Sequence, residues 1–459
     1  MLRQDRYFDP QPDQKALAMQ LYSQVREMPI ISPHGHVDPA LFSQADYHFP
    51  NPSELLFQND HYLLRMLHSQ GVSFDVLLSK EDPFRAWEAF ASHFHFFRST
   101  PSGMWLVHEL EMVFEITETL NAKTAESTYQ RINERLSSSD FTPRHLFQKF
   151  NVEVLATTDA AEDPLNHHQA IRESGWKGRV IPTFRPDGVI DMRIPDWSKR
   201  VEALHRAAGV GMSNFPVFLT AIETRREVFR RLGATAIDLG VISPRTHQLA
   251  DAQAERIYQS AISGEVSHTD ADAFTAHMLY EMARMSTEDG MVMQLHPGVF
   301  RNHSPQIFNR FGADMGFDIP VRTEFTRSLH PILSDFGHHP NFRLILFTLD
   351  ESTYTRELAP LAGAYPSVKL GPPWWFLDSW NGIRRYFEAV IETAGIYNTT
   401  GFNNDTRAFL SIPVRHDVWR RASANWVAGL LVRGMIGETD AEVMMADLAY
   451  GLAKDAYLL

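Results

Sequence analysis

The chain has 459 residues, 44% of them hydrophobic, with 43 Lys and Arg against 56 Asp and Glu for a formal charge of −13, and no cysteine. This apolar content allows a large core, while the acidic balance excludes a general attraction to nucleic acid or anionic membrane. Without cysteine there is no disulfide framework, thiolate metal site or cysteine nucleophile, so a transition metal must be held by His, Asp or Glu.

The opening MLRQDRYFDPQPDQ lacks the apolar region of a secretory signal, and no apolar stretch approaches a membrane span. We therefore expect a cytoplasmic protein with no nucleic-acid or membrane partner, assembling as a homo-oligomer.

The first β-type run is PII, just before His34. Residues 45–148 then carry helical, aromatic-rich patterns such as DPFRAWEAFASHFHFFRST and TPRHLFQKF, too long for a simple connection and expected to form a helical insertion within one domain spanning 1–459. Further β-type runs follow at 152–159, 179–187, 234–238, 291–296, 342–350, 367–371 and 395–407. Near-continuous apolar runs alternating with helical patterns suit parallel βαβ units. Eight of them predict an α/β fold, a (β/α)8 TIM-type barrel with catalytic groups at the C-terminal strand ends; an open doubly wound sheet would also place ligands there. From about Arg415 onward the pattern reads as two helices separated near Gly437.

With 21 histidines, about one His-x-His is expected by chance, so the tripeptide alone is a weak metal signal. His93 and His95 form such a pair inside an aromatic helical run, where the spacing points the rings apart. His34 and His36 differ, because they end the first strand and a period of two turns both to one side. Asp405 in NNDTRAF, at the end of the eighth run, completes a set of two imidazoles and one carboxylate with positions open for substrate. His296, ending MVMQLH, is a further ligand or a hydrogen-bonding neighbour. Arg407 lies two residues beyond Asp405, a strand spacing that aligns both. Arg185 and Arg301 carry guanidinium forks suited to an anionic group, and Trp374 and Trp375 offer indole faces that could cover a small ring. The doublets His167-His168 and His338-His339 read as surface or supporting residues.

His-x-His after the first strand and Asp after the eighth resembles the amidohydrolase superfamily of metal-dependent barrels. More narrowly, PHGHVDP, NDHYLLRML, LATTDAAEDPLNHH, QLHPGVFRN, GPPWWFLD and NNDTRAFLS resemble the uronate isomerase family along nearly the whole chain. The resemblance implies aldose–ketose isomerisation of the hexuronates D-glucuronate and D-galacturonate by metal-assisted proton transfer through an enediolate. It also implies one divalent metal, zinc, on His34, His36 and Asp405, with Tyr62, Asp238, His296 and Arg407 lining the reacting end. Asp405 is then the candidate for hydroxyl proton transfer, and Tyr62 relays the C2 proton if the metal or Arg407 favours its ionisation. One position departs from the family, which commonly carries a histidine directly after the fourth-strand aspartate; here Asp238 is followed by Leu239. The competing readings are a mononuclear hydrolase on the same barrel and a non-catalytic sugar-acid binder.

Overall fold

The computed structural model describes residues 2–459. Seven parallel strands form the barrel: β1 (Ile30–Ser32), β2 (Val152–Ala156), β3 (Arg179–Ile181), β4 (Ala236–Leu239), β5 (Val292–Leu295), β6 (Leu344–Leu346) and β7 (Val368–Leu370). The second and third staves continue as the short pair Asp159–Ala160 and Phe184–Arg185, and it is Phe184 that pairs with Ile237 of β4. The eighth stave is a single bridge from Leu370 to Thr399, and closure onto the first stave comes from the His36 amide donating to the Thr406 carbonyl at 2.9 Å.

The expected strand over 395–407 is thus absent as a regular element. Its sequence, GIYNTTGFNNDTR, is dense in Gly, Asn and Thr, whose side chains compete with a ladder for backbone hydrogen bonds. Two of its residues, Gly401 (φ 64°) and Asp405 (φ 36°), adopt left-handed backbone that interrupts a strand.

Period-two alternation sorts the strand residues into two layers. In β4 and β5, Ile237, Leu239, Met293 and Leu295 join the large core shared with the surrounding helices. Ala236 and Val292 face inward with Ile345 and Phe347. Asp238 and Gln294 are directly paired on that inward face, and His296 follows it two residues on. The barrel interior is closed from below by the C-terminal segment, where the Tyr457 hydroxyl donates to Gln294 Oε1 at 3.0 Å.

Between β1 and β2 lie seven α-helices, from Ala40–Ser43 to Pro143–Lys149. Three of them open with a polar cap followed by proline: Asp82, Thr100 and Thr142 each accept a backbone N–H three residues on. The aromatic residues of this segment, including Phe57, Trp87, Phe90 and Phe141, pack into a core of their own that reaches Ile30, Val152 and Phe409 at the barrel edge. After the barrel, the helix Ser411–Val432 is buried on nearly every side, Glu438–Ala446 follows, and further helical turns run to Ala456.

Candidate active site

A cavity of about 1280 Å³ opens at the C-terminal end of the strands, between the barrel mouth and the helices that follow β1. His34, His36, Tyr62, Arg185, Asp238, His296, Arg301, Trp374, Trp375, Asp405 and Arg407 all line it.

His34 and His36 both bring Nε2 to Asp405 Oδ1, at 3.3 and 3.2 Å. One ligand atom each from His34, His296 and Asp405 also falls within 4.8 Å of the others. Asp405 Oδ1 and His296 Nε2 are buried yet accept no hydrogen bond among the described residues. Imidazole nitrogens crowded around a carboxylate oxygen without hydrogen-bond geometry are arranged toward a shared point, a geometry that suits the ligands of one cation. The donor set is nitrogen and oxygen only, which suits a divalent metal. Burial works against ionising Asp405, but His34 and His36 outweigh it and hold the carboxyl well below its ordinary range. The left-handed backbone of Asp405 is a strained conformation of the kind that persists where function requires it.

Behind this group, His296 Nδ1 meets Asp238 Oδ1 at 2.7 Å, and Asp238 Oδ2 pairs with Arg185 at 3.1 Å. Burial disfavours the Asp238 charge, yet Arg185, His34 and His296 together keep it ionised. Arg185 is also held by Asp187 at 2.7 Å. Leu239 is fully buried in the helix-facing layer, so its side chain points away from the cavity. Its carbonyl accepts from the His296 amide at 2.8 Å.

The wall facing the barrel is supplied by residues between β1 and β2 and by the loop after β5. Asp60 caps the helix His61–Ser69 and accepts from the Tyr62 amide at 2.8 Å, which fixes Tyr62 in the first turn. Burial raises the Tyr62 phenol well above its ordinary value; Arg415 is the charge acting most strongly against that rise. His61, stacked on Tyr62, is pushed down to about 3 by burial and then by Arg407. Arg407 turns its half-exposed side chain to Asp314 at 2.9 Å. The strand spacing expected to align it with Asp405 is not available, because that segment is irregular. Arg301 pairs with Asp318 at 2.8 Å and lies over the Trp375 ring at 5.1 Å. Trp374 meets the His296 ring edge-on at 4.7 Å.

His93 and His95 lie outside the cavity, each bonded to a backbone carbonyl of its own turn. His168 is buried against the Thr157 hydroxyl, whereas His338 and His339 are exposed. Sequence reasoning missed Asp60, Trp105, Glu109, Asp378 and Arg415, all buried or half-buried near Tyr62. The legible signals were Asp60 ahead of an apolar helical period and the Trp105–Glu109 spacing of four, which puts both on one helix face.

The chain has counterparts along its whole length. A family model described as glucuronate isomerase matches residues 12–457. The uronate isomerase of Nostoc punctiforme is 49% identical over 466 residues, covering 100% of this chain and 98% of the relative. The crystal structure of glucuronate isomerase from Caulobacter crescentus superposes with a TM-score of 0.98 at 47% identity, covering 100% of this chain and 97% of that one. The uronate isomerase structure from Thermotoga maritima gives a TM-score of 0.94 at 26% identity, covering 100% and 99%.

Proposed function

We propose, for a chain that belongs to the glucuronate isomerase family, a division of labour among the residues of this cavity. The protein is an aldose–ketose isomerase that interconverts D-glucuronate with D-fructuronate and D-galacturonate with D-tagaturonate. The full-length likeness to isomerases leaves the hydrolase and non-catalytic readings of the same barrel unfavoured.

His34, His36 and Asp405 would hold a divalent metal, with His296 beside them; the convergence of their ligand atoms is the observation that carries this reading. We take the metal to be zinc, which a nitrogen and oxygen donor set accommodates. When bound, it supplies Lewis-acid polarisation of the substrate's carbonyl and neighbouring hydroxyl oxygens.

The chain's own groups handle the protons. Asp405 takes the proton from the C2 hydroxyl and returns it to the C1 oxygen. Tyr62, in its minor phenolate form, removes hydrogen from C2 as a proton, and the electron pair left behind forms the enediolate. The resulting phenol then delivers the proton to C1, which leaves a carbonyl at C2 and restores the phenolate. Asp238 orients His296 toward the reacting oxygens. Arg407 offsets developing oxyanion charge, Arg301 or Arg185 receives the substrate carboxylate, and Trp374 and Trp375 cover the sugar ring. Segment 45–148 acts as an insertion in one barrel domain, a reading supported by its separate aromatic core.

Cytoplasmic residence, supported by the absence of cysteine, and homo-oligomeric assembly belong to the same proposal. The exposed Val432, Met435 and Val443 near the C-terminus support the latter. No helix among the described residues is long and apolar enough to cross a membrane.

The test is incubation of purified protein with D-glucuronate in deuterated water, followed by NMR at C1 and C2. Ketose formation supports the proposal; neither ketose nor exchange at C2 would defeat it.

A further inference from the structure

The cavity wall behind Tyr62 contains a buried charge cluster that the proton transfers above leave unused. Arg415, near the start of the helix Ser411–Val432, has a side chain only 3% exposed. Its Nε donates to Asp378 Oδ2 at 2.9 Å, and Nη2 donates to the same oxygen. Its guanidinium lies 4.5 Å from the centre of the Trp105 ring, and that ring meets Tyr62 edge-on at 6.2 Å and 88°. Nη1 makes no hydrogen bond to any described residue, and Arg415 itself lines the cavity. A buried guanidinium clamped on one side by a carboxylate and on another by an indole face cannot swing away.

We propose that Arg415, anchored by Asp378 and Trp105, is a positioning residue for Tyr62, supplying the fixed positive charge that makes the buried phenol a usable proton relay. The proposal rests on Tyr62 being that relay. A phenolate formed in a buried wall needs a compensating cation, because desolvation penalises its charge. The other titratable groups around Tyr62 do not provide one as well placed, and Arg407 is turned to Asp314 at 2.9 Å. Asp60 on its own helix, Asp378 after β7 and Asp405 in the barrel favour the protonated phenol. His61, stacked on it, is held neutral by burial. Arg65, one turn along the helix, lies over the Phe376 ring at 5.0 Å. Glu109, one turn beyond Trp105, is pushed up to about 8 by burial and then by Asp60, so at neutral pH it adds no second negative charge to that of Asp378.

The experiment places a difluorotyrosine, more acidic than tyrosine, at position 62 and follows its ionisation by fluorine NMR in the holoenzyme. It compares wild type, Arg415→Lys, Arg415→Gln, and the double variant Arg415→Gln with Asp378→Asn, which leaves no orphaned carboxylate if the single variant fails to fold. Loss of the guanidinium should move the phenol's titration up by about one to three pH units, with Arg415→Lys in between. In the unlabelled variants kcat should fall about 10- to 1000-fold, as such a rise implies, while KM changes little. A folded double variant that titrates like wild type overturns the proposal. Tyr62→Phe retaining the full rate would instead overturn the relay, so the two failures are read in different measurements.

Discussion

His296 presents Nδ1 to Asp238 Oδ1 at 2.7 Å while its Nε2 stays buried without a protein partner among the described residues. Because Asp238 is ionised, the imidazole must be the donor, and that fixes Nε2 as an acceptor aimed into the cavity beside His34, whose ring stacks on it at 4.8 Å. Asp238→Asn keeps the shape but removes the charge that selects this tautomer. Activity should fall about 10- to 100-fold, with little change in fold by circular dichroism; undiminished kcat/KM would contradict the assignment.

Leu239, directly after Asp238, lies in the helix-facing layer, one residue out of phase with it. Leu239→His should therefore add nothing to activity per folded molecule. It should lower stability by roughly 2–4 kcal/mol, through lost apolar contact and a buried imidazole. Urea denaturation beside kinetics checks both halves.

The carboxyl of Glu109 is raised from 4.5 to about 8 by burial, reinforced by Asp60. A folded-state value above the unfolded one means the folded protein holds the extra proton. The stability this contributes is fully present below about 4.5 and is lost as pH rises through about 8, by up to about 1.4 kcal/mol per pH unit. Over that window Glu109→Gln should gain stability relative to wild type as pH increases. Parallel dependence of the two denaturation midpoints would count against it.

Arg185 is held between Asp187 and Asp238, whereas Arg301 has a single carboxylate partner and a side chain 41% exposed at the cavity. Arg301 thus has more donors free for a substrate carboxylate. Arg301→Gln should raise KM for glucuronate about 10- to 100-fold, the loss of a charge-assisted hydrogen bond, with kcat less affected. Arg185→Gln should mainly perturb Asp238 and lower kcat.

How much of this the sequence carried depends on whether the signal was local. His34 and His36 were legible because they follow an apolar run at a spacing of two, and Asp405 because it ends the last such run. The eighth stave was misjudged in form: its Asn and Thr side chains, with left-handed turns at Gly401 and Asp405, replace a ladder with irregular backbone. That irregularity also sends Arg407 to Asp314 instead of alongside Asp405. Arg415 was invisible because its meaning comes from Trp105 and Asp378, 310 and 37 residues away in sequence; on a helix buried nearly all round, no face marks it as belonging to a site.

Metal content per chain tests the central claim most directly. Elemental analysis of the purified protein should find one divalent ion bound per wild-type chain, and its loss from folded His34→Ala and Asp405→Asn variants together with their activity. A metal-free wild-type protein that isomerises glucuronate at full rate, or retention of the ion after both substitutions, would contradict it.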